Sequence, residues 1–110
     1  MRRNTLEIKE YLHYLRESIT ILSEYSINRK YESLYNNEVF YNASIRRICI
    51  ICRILLLMKQ HFKDSLSEKD FIYFAELLKL FRNFTRFHYA DVWYFVYKKL
   101  PDISYKLNRS

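Results

Sequence analysis

No glycine occurs anywhere in these 110 residues, and proline occurs once, at Pro101. Tight hairpins depend on residues that tolerate positive φ, glycine above all, so a fold built on short strands has little to turn with. Gly-rich loops that cradle phosphate are excluded for the same reason, which removes the Walker and Rossmann types of nucleotide site. Long helices joined by a few polar residues fit best. Half of the residues are hydrophobic and 18% are aromatic. That is enough for one ordered domain over residues 1–110 whose core needs neither disulfide nor metal.

The apolar spacing places the helices. Asn4 followed by Glu7 has the form of a capping box, and Ile8, Leu12, Leu15, Ile19 and Leu22 then recur at steps of four and three, one stripe on a helix fading near Ile27. Residues 28–36 are polar and read as a loop with a short turn, anchored by Tyr31, Leu34 and Tyr35. Asn36 is the expected cap of a second helix reaching Phe62, with Glu38 favourably placed against the helix dipole. Ile45, Ile48, Cys52, Leu55 and Phe62 mark one face of it, while Ile51, Leu56 and Met58 fall on others. A helix apolar on several faces has several neighbours, and in so small a domain one of them can be a second subunit, hence an expected homodimer.

Ser67 and Asp70 cap a third helix, with Phe71, Ala75, Leu78 and Phe81 as its inner stripe and Phe74 and Leu77 beside it. Asp91 is the expected cap of a short aromatic helix holding Trp93, Phe95, Val96 and Leu100, which Pro101 stops. Beyond it, Ile103, Tyr105 and Leu107 are candidates for docking a polar tail. No strand-period segment or internal repeat appears. The expected architecture is therefore all-α, an up-and-down four-helix bundle with a short C-terminal helix.

The chain carries 19 Lys and Arg against 12 Asp and Glu, a net charge of +7. That excess favours a polyanionic partner, nucleic acid or acidic protein, without choosing between them. The start MRRNTLEIKE has no apolar stretch behind it, and the apolar run Ile48–Met58 is about half a membrane span, so no membrane role and a cytoplasmic location are expected. Cys49 and Cys52 form a CxxC, but at helical spacing inside an apolar run and without a second pair to complete a zinc site. They read as core thiols in a reducing compartment. His13 and His61 stand apart from any carboxylate at ligand spacing and read as surface residues. No metal or other cofactor is expected.

One stretch gathers chemistry. Between Arg82 and Asp91 lie two arginines, an amide, a histidine, a tyrosine and an aspartate, at the junction of two helical patterns. A basic, aromatic helix end would look the same. The alternative is a phosphodiester site. Arginine clamps a phosphate with a planar fork of donors, and histidine, with an ordinary pKa of about 6.5, both takes and gives protons near neutrality. RNA brings its own nucleophile, the 2′-hydroxyl, so one base and one cation are the minimum for cleavage. Arg82, Asn83 and His88 are the candidate catalytic residues, with Arg86, Arg46 and Arg47 as phosphate contacts.

At these residues the chain resembles the HepT toxins of the HEPN superfamily. Their hallmark is Arg followed by a polar residue, a short spacer and His, with Tyr close behind, and here that is Arg82-Asn83, His88 and Tyr89. LYNNEVFYNASIRRICIICRILLLM is similar to their second-helix segment and VWYFVYKKLPDI to their closing helix, so the likeness covers nearly the whole chain. It implies a dimeric helical bundle and a metal-independent ribonuclease, the toxin of a two-gene system. It further implies an antitoxin of the MNT type, a minimal nucleotidyltransferase that adds AMP to the motif tyrosine. Carried over, Arg82 holds the scissile phosphate, His88 is base or acid, Asn83 orients the site and Tyr89 is the modified residue. The chain departs from the usual spacing. Five residues separate Arg82 from His88 and none separates His88 from Tyr89, where the family commonly has four and one. Such a step swings a helical side chain by about 100°. Cys52-Arg53 also stands where the family commonly has Gly-Glu-Ala. The competing expectations are a non-catalytic HEPN module that binds nucleotide or its nucleotidyltransferase partner, and a plain helical interaction protein.

Overall fold

A computed structural model describes residues 5–83 and 86–109. Every regular element within them is helical. Helix α1, Thr5–Tyr25, has Glu7 in its first turn, while the expected cap Asn4 lies outside the described residues. Leu15 and Leu22 of its stripe are fully buried, and Ile8, Leu12 and Ile19 pack half-buried against the same core. The chain leaves α1 through Asn28, whose φ of 60° lies in the left-handed region; asparagine enters it more readily than most side chains because its short amide can bond locally.

The expected loop contains one helical turn, α2, Ser33–Asn36, with Leu34 buried. Helix α3, Glu38–Leu57, is capped by Asn37 and not by Asn36: the Asn37 side chain accepts from the Phe40 N–H at 3.0 Å. A cap needs extended backbone, which Asn37 has at φ −137° and ψ 94°, whereas Asn36 is still the last residue of α2. The second predicted helix is also interrupted. Met58 (φ −106°, ψ 29°) ends α3, and a single turn, α4, Lys59–Phe62, follows. Met58, Phe62 and Leu66 are all buried there.

Helix α5, Glu68–Leu80, begins with the predicted capping box, in which Ser67 and Asp70 each bond the other's backbone N–H. Its inner stripe is centred on Phe74, with Phe71, Leu77 and Phe81 also buried and Leu78 half-buried. Ala75, expected inside, is exposed. It follows Phe74 by one step of about 100°, which puts it at the rim, and its single methyl gives little reason to turn the helix.

The last helix departs most from expectation. Helix α6, Tyr89–Tyr94, starts two residues before Asp91, which lies in its first turn instead of capping it. It passes through a π turn, Phe95–Lys99, directly into α7, Leu100–Arg109. Pro101 does not stop it. Proline clashes with the carbonyl four residues earlier and offers no N–H. Here the wider turn, in which the Leu100 N–H reaches back to the Phe95 carbonyl, opens the helix before the proline arrives. The predicted tail is thus helical, with Ile103 fully buried, Leu107 half-buried and Tyr105 exposed.

Helix α3 is the hub, packing on α1, α2, α5 and α6, while α7 returns to α1. Ile48, Ile51, Cys52 and Leu55 of α3 are fully buried. Of the residues on its extra apolar faces, Ile51 and Met58 are covered from within the chain and Leu56 is half-buried. Ser18 and Ser44 are also fully buried, and such small side chains let α1 and α3 approach closely. Burial pushes the thiols of Cys49 and Cys52 up, furthest at Cys52. No described helix is long and apolar enough to cross a membrane.

Asp70 ties the last helix to α5. Its carboxylate, 5% exposed, bonds Lys99 Nζ at 2.6 Å and Lys106 Nζ at 3.1 Å, and Asp102 takes Lys106 at 3.1 Å. Burial pushes the Asp70 carboxyl up, but the bonds from Lys99, the Ser67 N–H and Lys106 outweigh it and hold the group well below the usual carboxylate range. The π turn supplies Lys99 to this network, so the clamp and the start of α6 lie on one continuous helical run.

Candidate functional site

The junction of α5 and α6 is built by a tight exit turn. The Arg82 N–H donates to the Lys79 carbonyl at 3.3 Å and the Asn83 N–H to the Leu80 carbonyl at 3.1 Å. Phe81 is buried, whereas Arg82, Asn83 and Arg86 are exposed.

His88 faces inward. It is 7% exposed, and its ring lies 5.6 Å from that of Phe81. Its Nε2 is 3.0 Å from the Asn83 carbonyl oxygen. A carbonyl only accepts, so Nε2 carries the hydrogen and Nδ1 is the basic nitrogen of the neutral ring. The His88 backbone N–H donates to Tyr41 Oη at 2.8 Å. Burial pushes the Tyr41 hydroxyl up, only partly offset by that bond. His88 therefore clasps the end of α5 to the start of α6 and to α3. It lies in non-helical backbone before Tyr89 (φ −120°, ψ 45°), so its direction is set by these bonds and not by a helical rotation.

Tyr89 is half-buried, its ring edge-on to Tyr41 at 4.9 Å and to Tyr35 at 5.6 Å. Of the predicted site residues, the structure brings His88 onto the Asn83 carbonyl and sets Tyr89 next to it in the chain, while the side chains of Arg82 and Arg86 are exposed. It does not bring Arg46 and Arg47 to this junction within a single chain. Tyr41 faces the loop, and on a helix of 3.6 residues per turn the two arginines lie roughly 140° and 120° away from it on opposite sides. Arg46 is exposed beside a shallow depression lined by Tyr25, Val39 and Asn42, and Arg47 donates to Ser18 Oγ at 3.4 Å. Among the described residues no three His, Cys, Asp or Glu side chains come together in the manner of metal ligands. Sequence reasoning missed Tyr41, because nothing in the order of residues signals a bond across 47 positions.

No family model matches the chain, and no solved structure matches it. Residues of this chain are 26% identical, over 98 positions, to a protein of Methanocaldococcus jannaschii named "Gamma-glutamylcyclotransferase and putative RNase". The match takes in 88% of this chain and 44% of that protein, so the chain spans less than half the length of the relative.

Proposed function

We propose that this chain is a metal-independent endoribonuclease of the HepT kind, the toxin of a two-gene toxin–antitoxin pair acting in the cytoplasm. The observation that supports the reading is the contact of the His88 ring with the Asn83 carbonyl at the α5–α6 junction, with Arg82 exposed next to Asn83 in the chain. The distant likeness to a protein whose name includes an RNase assignment points the same way. In this reading a base takes the 2′-hydroxyl proton, the O2′–P bond forms, and the P–O5′ bond breaks as the leaving oxygen is protonated, giving a 2′,3′-cyclic phosphate. In this reading His88 serves as base or acid through Nδ1, the nitrogen that the contact with the Asn83 carbonyl leaves over. Arg82, already exposed, takes the charge that builds on the phosphate oxygens.

The partners in this reading are a second copy of the chain, RNA, and an MNT-type nucleotidyltransferase that modifies Tyr89. The test is RNA cleavage by the purified protein in the presence of chelator. Cyclic-phosphate ends are expected, and Arg82→Ala and His88→Ala should each lower the rate by at least about 100-fold, the lower end for one acid–base group. Because His88 also holds the loop, Arg82→Ala is the cleaner variant. Cleavage that survives both changes would sink the assignment. The inward His88 favours a second reading, the non-catalytic module that binds nucleotide or its nucleotidyltransferase partner. A folded dimer, free of AMP on Tyr89, that binds RNA or nucleotide without cutting would establish that reading instead.

A further inference from the structure

Beside the loop runs a chain of aromatic rings that the cleavage chemistry does not use. Phe87 lies parallel to Tyr89, centroids 5.2 Å apart and planes 6° apart. Tyr35 meets Tyr89 edge-on at 5.6 Å, Tyr31 meets Tyr35 at 5.9 Å, and Trp93 meets Tyr31 at 5.6 Å. Tyr89 and Trp93 are half-buried against the core, but the rings that meet them are not hidden: Phe87 is 70% exposed, Tyr35 50% and Tyr31 36%. Scattered surface aromatics are ordinary, whereas exposed rings joined ring to ring through half-buried ones form a connected apolar patch of the kind that binds a partner. Beneath the run the buried Tyr41 braces Phe87 and Tyr89 edge-on, at 5.8 and 4.9 Å. The outer rings are therefore held in place before any ligand arrives, which lowers the ordering cost of binding.

Charge completes the surface. Arg29 and Lys30 lead into Tyr31, Arg82 and Arg86 lie on the loop that leads to Phe87, and all four are exposed. The exposed carboxylates of the same segments, Glu32 and Asp91, disfavour phosphate between those ends, so the rings supply the contact there. Planar faces flanked by guanidinium and ammonium groups match a strand whose bases are unstacked and whose phosphates remain outside. A duplex buries its base faces by stacking and cannot use such rings. We infer that this strip is a stacking platform for the unpaired bases of single-stranded RNA, with the outer face of Phe87 as its leading position. The inference deepens the ribonuclease reading, on which its choice of RNA rests, by naming the rings that would hold the unpaired bases.

The test separates binding from cleavage by using 2′-O-methyl oligonucleotides, which lack the nucleophile. The full chain is titrated with a labelled single strand, the matching blunt duplex and an abasic strand of equal length. The only tryptophan, Trp93, serves as a second reporter through Tyr31. The single strand should bind at least about tenfold tighter than the other two. Phe87→Ala should weaken it by roughly five- to a hundredfold, the range for loss of one stacked base, and Phe87→Tyr should restore it. Phe87 is exposed, so an unchanged urea midpoint verifies the fold, and Tyr35→Ala provides an independent second variant. Equal affinity for the abasic strand, indifference to Phe87→Ala, or no oligonucleotide binding at all would overturn the platform; the last outcome would leave the strip to a protein partner. Cleavage of ordinary RNA is scored separately. Binding without cleavage sinks the ribonuclease reading and spares the platform, whereas cleavage with an unchanged KM in Phe87→Ala does the reverse.

Discussion

The Tyr41 hydroxyl holds the backbone of His88 across the interface between α3 and the loop. Tyr41→Phe leaves the ring contacts with Phe87 and Tyr89 but strands a buried N–H, a change worth about 1–3 kcal/mol. A lowered urea midpoint together with faster hydrogen exchange at the His88 amide is expected; an unchanged amide would show that the bond does not hold the loop. Asp70 is the other residue on which much rests, and its pH behaviour follows from the sign of the shift. Its carboxyl is held below the ordinary value of about 3.9, so its contribution is complete above that pH and is lost as pH falls through the lower, folded value. Hydrogen bonds to Asp102 and Asp70 raise Lys106, so its share is present below about pH 10.4 and is lost as pH rises through the raised value. The clamp therefore stabilises across neutral pH and weakens at both extremes. Asp70→Asn removes the buried charge but leaves Asp102 facing Lys106, and should cost about 1–3 kcal/mol, the range for charge-assisted hydrogen bonds lost at a partly exposed site. The acid limb of a stability–pH curve should flatten in the variant.

At the scale of elements, caps were legible because they are written in a few consecutive residues. Ser67 and Asp70 stand where the spacing predicts, and Asn37→Ala should cost about 1 kcal/mol of stability by denaturant titration. The cap of α3 was misplaced by one residue because two asparagines adjoin and only backbone direction tells them apart. Pro101 was misread as a stop because a rule for straight helices does not include the π turn ahead of it. If that turn has already relieved the clash, Pro101→Ala should gain well under the roughly 3 kcal/mol that proline costs in a regular helix. A gain of the full amount, measured as a shift in urea midpoint, would mean that the clash persists.

Across the whole molecule, the hub position of α3 accounts for most of its apolar surface. Val39, 79% exposed, and Leu57, 51% exposed, remain uncovered. The proposed homodimer is best tested there: sedimentation should give a dimer, and Leu57→Glu should shift it toward monomer without lowering helix content. A parent chain that sediments as a monomer would remove the second copy of the chain from the proposed partners. The excess of 19 basic over 12 acidic residues predicts RNA affinity that falls steeply with salt as counterions are released. A salt-insensitive complex would point to packing against protein instead.

Composition and spacing by themselves determined an all-α chain, the register of α1 and the capping box of α5. Each of these is a short-range matter, settled by backbone freedom and by which side chains recur every three or four positions. Tertiary structure alone decided that His88 turns inward onto Tyr41 and that the last helix is tied to α5. Those outcomes rest on bonds between residues far apart in the chain, Tyr41 with His88 and Asp70 with Lys99 and Lys106, separated by 47, 29 and 36 positions. No local pattern encodes such pairs; they form only when packed helices carry the two ends to within reach of a hydrogen bond.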